Sequence, residues 1–140
     1  MKKLLLLMSL CFLVLAGCNQ EKGGSSYSEV NVKTPSMADV LEQKETEYLV
    51  YFWQTNCAYC KEFHPILETY THSDGALHVY GFNLATEGYS FYTQQLGLQG
   101  TPTLFKVKEK DGKREIVLAA VGVLTLEELN EFASLDESKE

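Results

Sequence analysis

Residues 48–65 read YLVYFWQTNCAYCKEFHP. An apolar, aromatic run over residues 48–53 stops at the polar break Gln54-Thr55-Asn56, and Cys57 and Cys60 follow with two residues between them. The run is apolar on both faces, the pattern of a strand buried at the centre of a sheet. The cysteines fall where the next element, a helix, begins. Sulfurs three positions apart on one helical turn can close a small disulfide without moving the backbone. The upstream cysteine sits where unpaired N–H groups at a helix N-terminus stabilise a thiolate. Since a thiolate is the attacking species in thiol–disulfide exchange, the stretch points to redox chemistry on sulfur.

Toward the N-terminus, Met1-Lys2-Lys3 is a basic start, and Leu4 to Ala16 is thirteen residues long and apolar except for Ser9. A permanent membrane span needs about 20 apolar residues, so the stretch reads as the core of a signal peptide covering residues 1–17. It ends in Leu15-Ala16-Gly17-Cys18, which resembles the bacterial lipobox. That resemblance implies lipidation of Cys18 and attachment to the extracytoplasmic face of the cell membrane. Two acyl chains on one cysteine meet the two-signal requirement for stable anchoring. Cys11 leaves with the leader and Cys18 carries the lipid, so Cys57 and Cys60 are the thiols left to pair.

Removing Lys2 and Lys3 from twelve basic residues leaves ten against nineteen acidic ones, a net charge of −9. An acidic surface argues against nucleic acid and against electrostatic docking on anionic lipid. Residues 18–28 are small and polar around Gly23-Gly24-Ser25-Ser26 and read as a lipidated N-terminus and flexible tether. A coil of that length reaches about 15–20 Å. Residues 29–135 make one domain, with a charged tail at 136–140.

Periodicity orders the domain. Ser36-Met37-Ala38-Asp39 predicts a helix capped by serine, with Met37, Val40 and Leu41 at helical spacing. After the central strand, a helix over 57–71 carries Phe63, Ile66, Leu67 and Tyr70 on one stripe, with Pro65 inside it. A strand over 77–83 and a short helix over 89–96 follow, the latter laying Tyr89, Phe91 and Tyr92 on the sheet. Strands over 103–107 and 114–121 flank Asp111-Gly112, a hairpin signal. Thr125-Leu126-Glu127-Glu128 is a capping box for a last helix, with Leu126, Leu129, Phe132 and Ala133 inward.

The expected fold is α/β: a central mixed β-sheet flanked by helices, a βαβ unit followed by a ββα unit. In this order the chain resembles the thioredoxin superfamily. Four features carry the resemblance: Phe52-Trp53 before the cysteines, Cys60-Lys61 with Pro65 four residues on, GTPTLFK at 100–106, and VGVLTLEEL at 121–129. The resemblance implies that Pro102 is cis beside Cys57 and that Trp53 packs by the dithiol. It also implies that Thr101 and Pro102 present a surface along which a substrate backbone lies. Cys57 would be the nucleophile and Cys60 the resolving thiol.

Two departures from the family pattern stand out. Tyr51 occupies the position of a buried aspartate, and Gly81 that of its lysine partner. With both absent, deprotonation of Cys60 falls to water or to a glutamate the sequence does not place, and release of a mixed disulfide is expected to be slow. The intervening dipeptide is Ala58-Tyr59, without an imidazole to stabilise the Cys57 thiolate. The potential is therefore expected between the family extremes of about −270 and −120 mV.

Thioredoxin-like accessory proteins of bacteriocin export and of envelope redox relays look similar here. The reading is a lipid-anchored thiol–disulfide oxidoreductase, reductase favoured over oxidase. It is a monomer acting on protein or small-molecule disulfides and dithiols with an electron donor or acceptor, and it needs no cofactor and no metal. The alternative is a non-enzymatic metal-binding or secretion-accessory module on the same fold. Cys57, Cys60 and His64 form a C-x2-C-x3-H array whose fourth ligand would come from His72, His78 or a carboxylate. Haem attachment is excluded, since Lys61 stands where a histidine must follow the second cysteine. His64 is read on the outer face of its helix, Glu62 as a first-turn acid favouring the helix dipole, and Tyr59 as either a substrate platform or a plain exposed aromatic.

Overall fold

The computed structural model describes residues 25–85 and 89–136. The expected leader, Cys18, most of the expected tether and residues 137–140 of the tail lie outside the described residues. The elements run β1 (Tyr27–Glu29), α1 (Ala38–Leu41), β2 (Glu47–Trp53), α2 (Ala58–Thr71), β3 (Val79–Asn83), α3 (Tyr89–Leu96), β4 (Thr103–Lys110), β5 (Lys113–Val121) and α4 (Leu126–Ser134). The five strands form one sheet in the order β1-β3-β2-β4-β5. β1 and β2 run parallel to β3, while β4 runs antiparallel to β2 and β5 antiparallel to β4. This is the expected mixed sheet flanked by helices.

Alternation along β2 divides the core. Tyr48, Val50 and Phe52 face one side, where they meet Val40, Tyr80, Phe82, Tyr92 and Phe105. Leu49 and Tyr51 face the other, with Phe63, Leu67 and Tyr70 of α2 and Leu129 and Phe132 of α4. A strand lined on both faces cannot spare polar positions, which is why residues 48–52 are all buried. The aromatics of the first side interlock edge-on or tilted, with Phe52 5.4 Å from Tyr92 and 5.9 Å from Phe105.

Local signals place the turns. Asp111 and Gly112 both take positive φ, 52° and 75°, the conformation a two-residue hairpin needs to match strand twist. β4 and β5 extend closer to this turn than expected. β5 also carries one extra residue opposite the Lys106–Val107 step, a bulge. At α4 the capping box is complete: Glu128 N–H donates to Thr125 Oγ1 at 3.2 Å and Thr125 N–H to Glu128 Oε2 at 2.8 Å.

Several expectations are corrected. The ordered domain begins inside the stretch read as tether, because Tyr27–Glu29 forms the edge strand β1 on β3. Ser26 ties it down, its N–H donating to the Thr71 carbonyl at 3.0 Å and its carbonyl accepting from Val79 N–H at 2.7 Å. β3 starts at Val79 rather than 77, since the Leu77 N–H donates to Tyr70 Oη at 2.9 Å instead of joining the ladder. Ser36 does not cap α1. Met37 holds the N-cap position, and Ser36 donates its own N–H and Oγ to Asp39 Oδ2. Leu126, expected inward, is 37% exposed at the first turn of α4, where the core is already filled by Leu129 and Phe132.

Candidate redox site

Cys57 is the N-cap of α2 in extended conformation (φ −92°, ψ 113°), and the Cys60 N–H donates to its sulfur at 3.1 Å. The residue thus terminates the helix with its own Sγ, a position at which the helix dipole favours negative charge. Cys57 and Cys60 are joined in a disulfide with Cα atoms 5.2 Å apart. Their environments differ: Cys57 is half-buried, whereas Cys60 is 1% exposed. Tyr59 between them is 65% exposed.

The loop before β4 meets this helix start. The Thr101–Pro102 peptide is cis, as expected. The Thr101 carbonyl lies 3.3 Å from Cys57 Sγ. Pro102 is buried, and its carbonyl accepts from Gly122 N–H at 2.9 Å, tying the loop to the end of β5. The Thr101-Pro102 loop, 44 residues on from Cys57 in the chain, is thereby brought against the dithiol.

Around Trp53 lies a cluster that sequence reasoning did not assemble. Trp53 Nε1–H donates to Glu29 at 3.2 Å (Oε1) and 3.4 Å (Oε2), and Tyr27 Oη donates to Glu29 Oε2 at 2.5 Å. The His64 ring stands edge-on to Trp53 at 5.0 Å and to Tyr51 at 5.5 Å. His64 was expected on the outer face of α2. It instead turns its Nε2 inward, and neither that atom nor Tyr51 Oη has a hydrogen-bond partner within the protein. Both residues line a cleft of about 350 Å³ with Ser25, Tyr27, Leu67, Glu68, Thr71 and His72.

Burial holds the His64 imidazole below its ordinary pKa, partly countered by the Glu29 carboxylate. Burial raises the phenols of Tyr51 and Tyr27, in the latter case reinforced by the hydrogen bond to Glu29. His64 was legible only as the residue four after Cys60. Glu29 lay in a segment too short to show alternation.

Glu62 falls after the first turn of α2, which contains no acid, so it does not serve the helix dipole as expected. The C-x2-C-x3-H array is not gathered either. Both sulfurs are in the disulfide and His64 lies against Trp53 and Tyr51. Among the described residues no group of three or more His, Cys, Asp and Glu side chains is placed to hold a metal ion.

The match to the thioredoxin-like domain model runs over residues 35–134. The chain belongs to the thioredoxin-like family, and its paired cysteines are a redox-capable dithiol on that fold. Among solved structures it is similar to Trichomonas vaginalis thioredoxin (TM-score 0.59, 18% identity, over 71% of this chain and 87% of the other). It is also similar to spinach chloroplast thioredoxin f (0.57, 18%, over 79% and 91%) and to Thermus thermophilus thioredoxin (0.51, 20%, over 62% and 70%). At these identities the likeness is one of fold. No curated protein matches the chain in sequence.

Proposed function

We propose that this protein is a lipid-anchored, extracytoplasmic thiol–disulfide oxidoreductase working as a reductase through Cys57 and Cys60. The observation that carries this reading is the asymmetry of the pair. Cys57 is half-buried, caps a helix and accepts the Cys60 N–H, while Cys60 is fully buried. In the reduced form Cys57 thiolate attacks a substrate disulfide, one substrate sulfur leaves, and a Cys57–substrate mixed disulfide forms. Cys60 then attacks Cys57 Sγ, closing the Cys57–Cys60 bond and expelling the second substrate thiol; run backwards, the steps oxidise a dithiol. An extended substrate lies along Thr101-Pro102, beside Cys57, with Trp53 flanking.

The absence of an imidazole between the cysteines supports reduction over strong oxidation. The lipobox-like Leu15-Ala16-Gly17-Cys18 supports the anchor; among the described residues no helix is long and apolar enough to cross a membrane.

Trapping tests the assignment. Cys60→Ser should accumulate mixed disulfides with substrates and Cys57→Ser should not, while alkylation of freshly quenched cells should find the wild-type pair mostly reduced. Equal trapping by both variants overturns the roles, and a mostly oxidised pair overturns the direction.

A further inference from the structure

We propose that His64 accepts the proton Cys60 gives up when it attacks the mixed disulfide, across the single helical turn that separates the two residues on α2. The inference rests on the oxidoreductase reading above and supplies the base that Tyr51 and Gly81 leave missing.

Position is the first argument. His64 follows Cys60 by four residues on α2, and side chains so spaced lie on one helix face with Cβ atoms about 5–6 Å apart. The second is the state of its inner nitrogen. A buried polar atom left unpaired costs about 1–3 kcal/mol, yet His64 Nε2 is buried and without a hydrogen-bond partner within the protein, as is the neighbouring Tyr51 Oη. The third is orientation: Trp53 and Tyr51 hold the ring edge-on from two sides.

The other groups facing His64 are poorer acceptors. From β1, Glu29 is engaged by Tyr27 Oη and Trp53 Nε1, and Tyr27 is itself the donor to that carboxylate. From β2, the Tyr51 phenol is raised by burial and holds its proton. On α2 Glu68, and at its C-cap His72, line the cleft one and two turns beyond His64, farther from Cys60. Because burial depresses the imidazole, His64 is in its neutral, proton-accepting form at neutral pH. In the step, Cys60 S–H loses its proton to His64 as its sulfur bonds Cys57 Sγ. The Cys57–substrate S–S bond breaks, the substrate sulfur leaves with the electron pair, and the imidazolium returns the proton to that thiolate or to solvent.

The test uses full-length reduced protein mixed rapidly with oxidised glutathione, with acid quenching and mass analysis of the Cys57–glutathione adduct. His64→Gln should form the adduct at the wild-type rate and resolve it about 10²-fold more slowly. It should also lose the acid limb of the wild-type resolution profile, and added imidazole should restore part of the rate. Glu29→Gln, which removes the charge that raises the imidazole pKa, should move that limb to lower pH. Resolution by His64→Gln at the wild-type rate with an unchanged pH profile overturns the proposal, as does a limb that Glu29→Gln leaves in place. A wild-type protein that never forms the adduct instead sinks the oxidoreductase reading, and the role of His64 with it.

Discussion

The Tyr27 hydroxyl of β1 fills the space above Gly81 of β3: a Cβ added at Gly81 would lie 1.9 Å from Tyr27 Oη and 2.7 Å from Glu29 Oε2. The family lysine therefore gives way here to a side chain arriving from the neighbouring strand. Glycine at 81 is a matter of close approach, since Gly81 is not among the glycines with positive φ. Gly81→Ala should displace Tyr27 and cost about 1–3 kcal/mol, as overpacking does. Tyr27→Ala in the same chain should remove most of that cost. Denaturant melts of the two single variants and the double variant check this; strictly additive losses would show that Tyr27 is not the obstacle.

Tyr51 is fully buried with its hydroxyl unpaired within the protein. Its ring packs on Phe63 at 5.6 Å and on His64 at 5.5 Å. Tyr51→Phe keeps the ring and removes the hydroxyl, so its effect on stability should be within about 1 kcal/mol of zero. Tyr51→Ala should cost about 3–5 kcal/mol through the cavity it leaves. Unfolding midpoints in urea distinguish the two, and a loss above about 2 kcal/mol for Tyr51→Phe would reveal a bonded hydroxyl.

Lys106 is 1% exposed in the middle of β4, where a charge must be satisfied. Its Nζ donates to the carbonyls of Ala133 and Leu135, each at 2.7 Å, and pairs with Glu47 Oε1 at 2.8 Å. It thereby fastens the C-terminal end of α4 to the sheet. Lys106→Met should cost about 2–4 kcal/mol and raise hydrogen exchange in α4 before the central strands. Exchange rising uniformly across the domain would argue against this fastening.

His64 also links stability to pH. Its folded-state pKa is lowered by burial, so its contribution is present above the unfolded imidazole value of about 6.5 and is lost as pH falls through the folded value. Acidification from pH 7 to 5 should therefore destabilise wild type more than His64→Gln. Parallel losses in the two proteins would show that the depression is absent.

The proposed lipid anchor has its own test. Cys18→Ala should abolish incorporation of labelled fatty acid and leave either an unprocessed precursor or protein released from the membrane. Label retained by the variant would end the lipobox reading.

The sequence by itself determined whatever rests on neighbours in the chain. A continuous apolar run on both faces made 48–53 a central strand, Asp111-Gly112 made the hairpin, and Thr125 with Glu128 made the last cap. The cysteine spacing likewise specified a bond that one helical turn can close. These signals are legible because their energies are local: backbone dihedrals, a side chain reaching three residues on, a face repeated every two positions. Only the tertiary structure decided what surrounds the dithiol. β1 is three residues long, carries no periodicity, and exists because β3, some fifty residues away, offers it an edge. Once β1 is there, Glu29 and Tyr27 arrive over Gly81, and the His64 ring stands edge-on to Tyr51 and Trp53 with its Nε2 buried. Helical spacing puts a side chain on a face. Which face another strand then covers is set by contacts between residues far apart in the chain, and no window of sequence contains them.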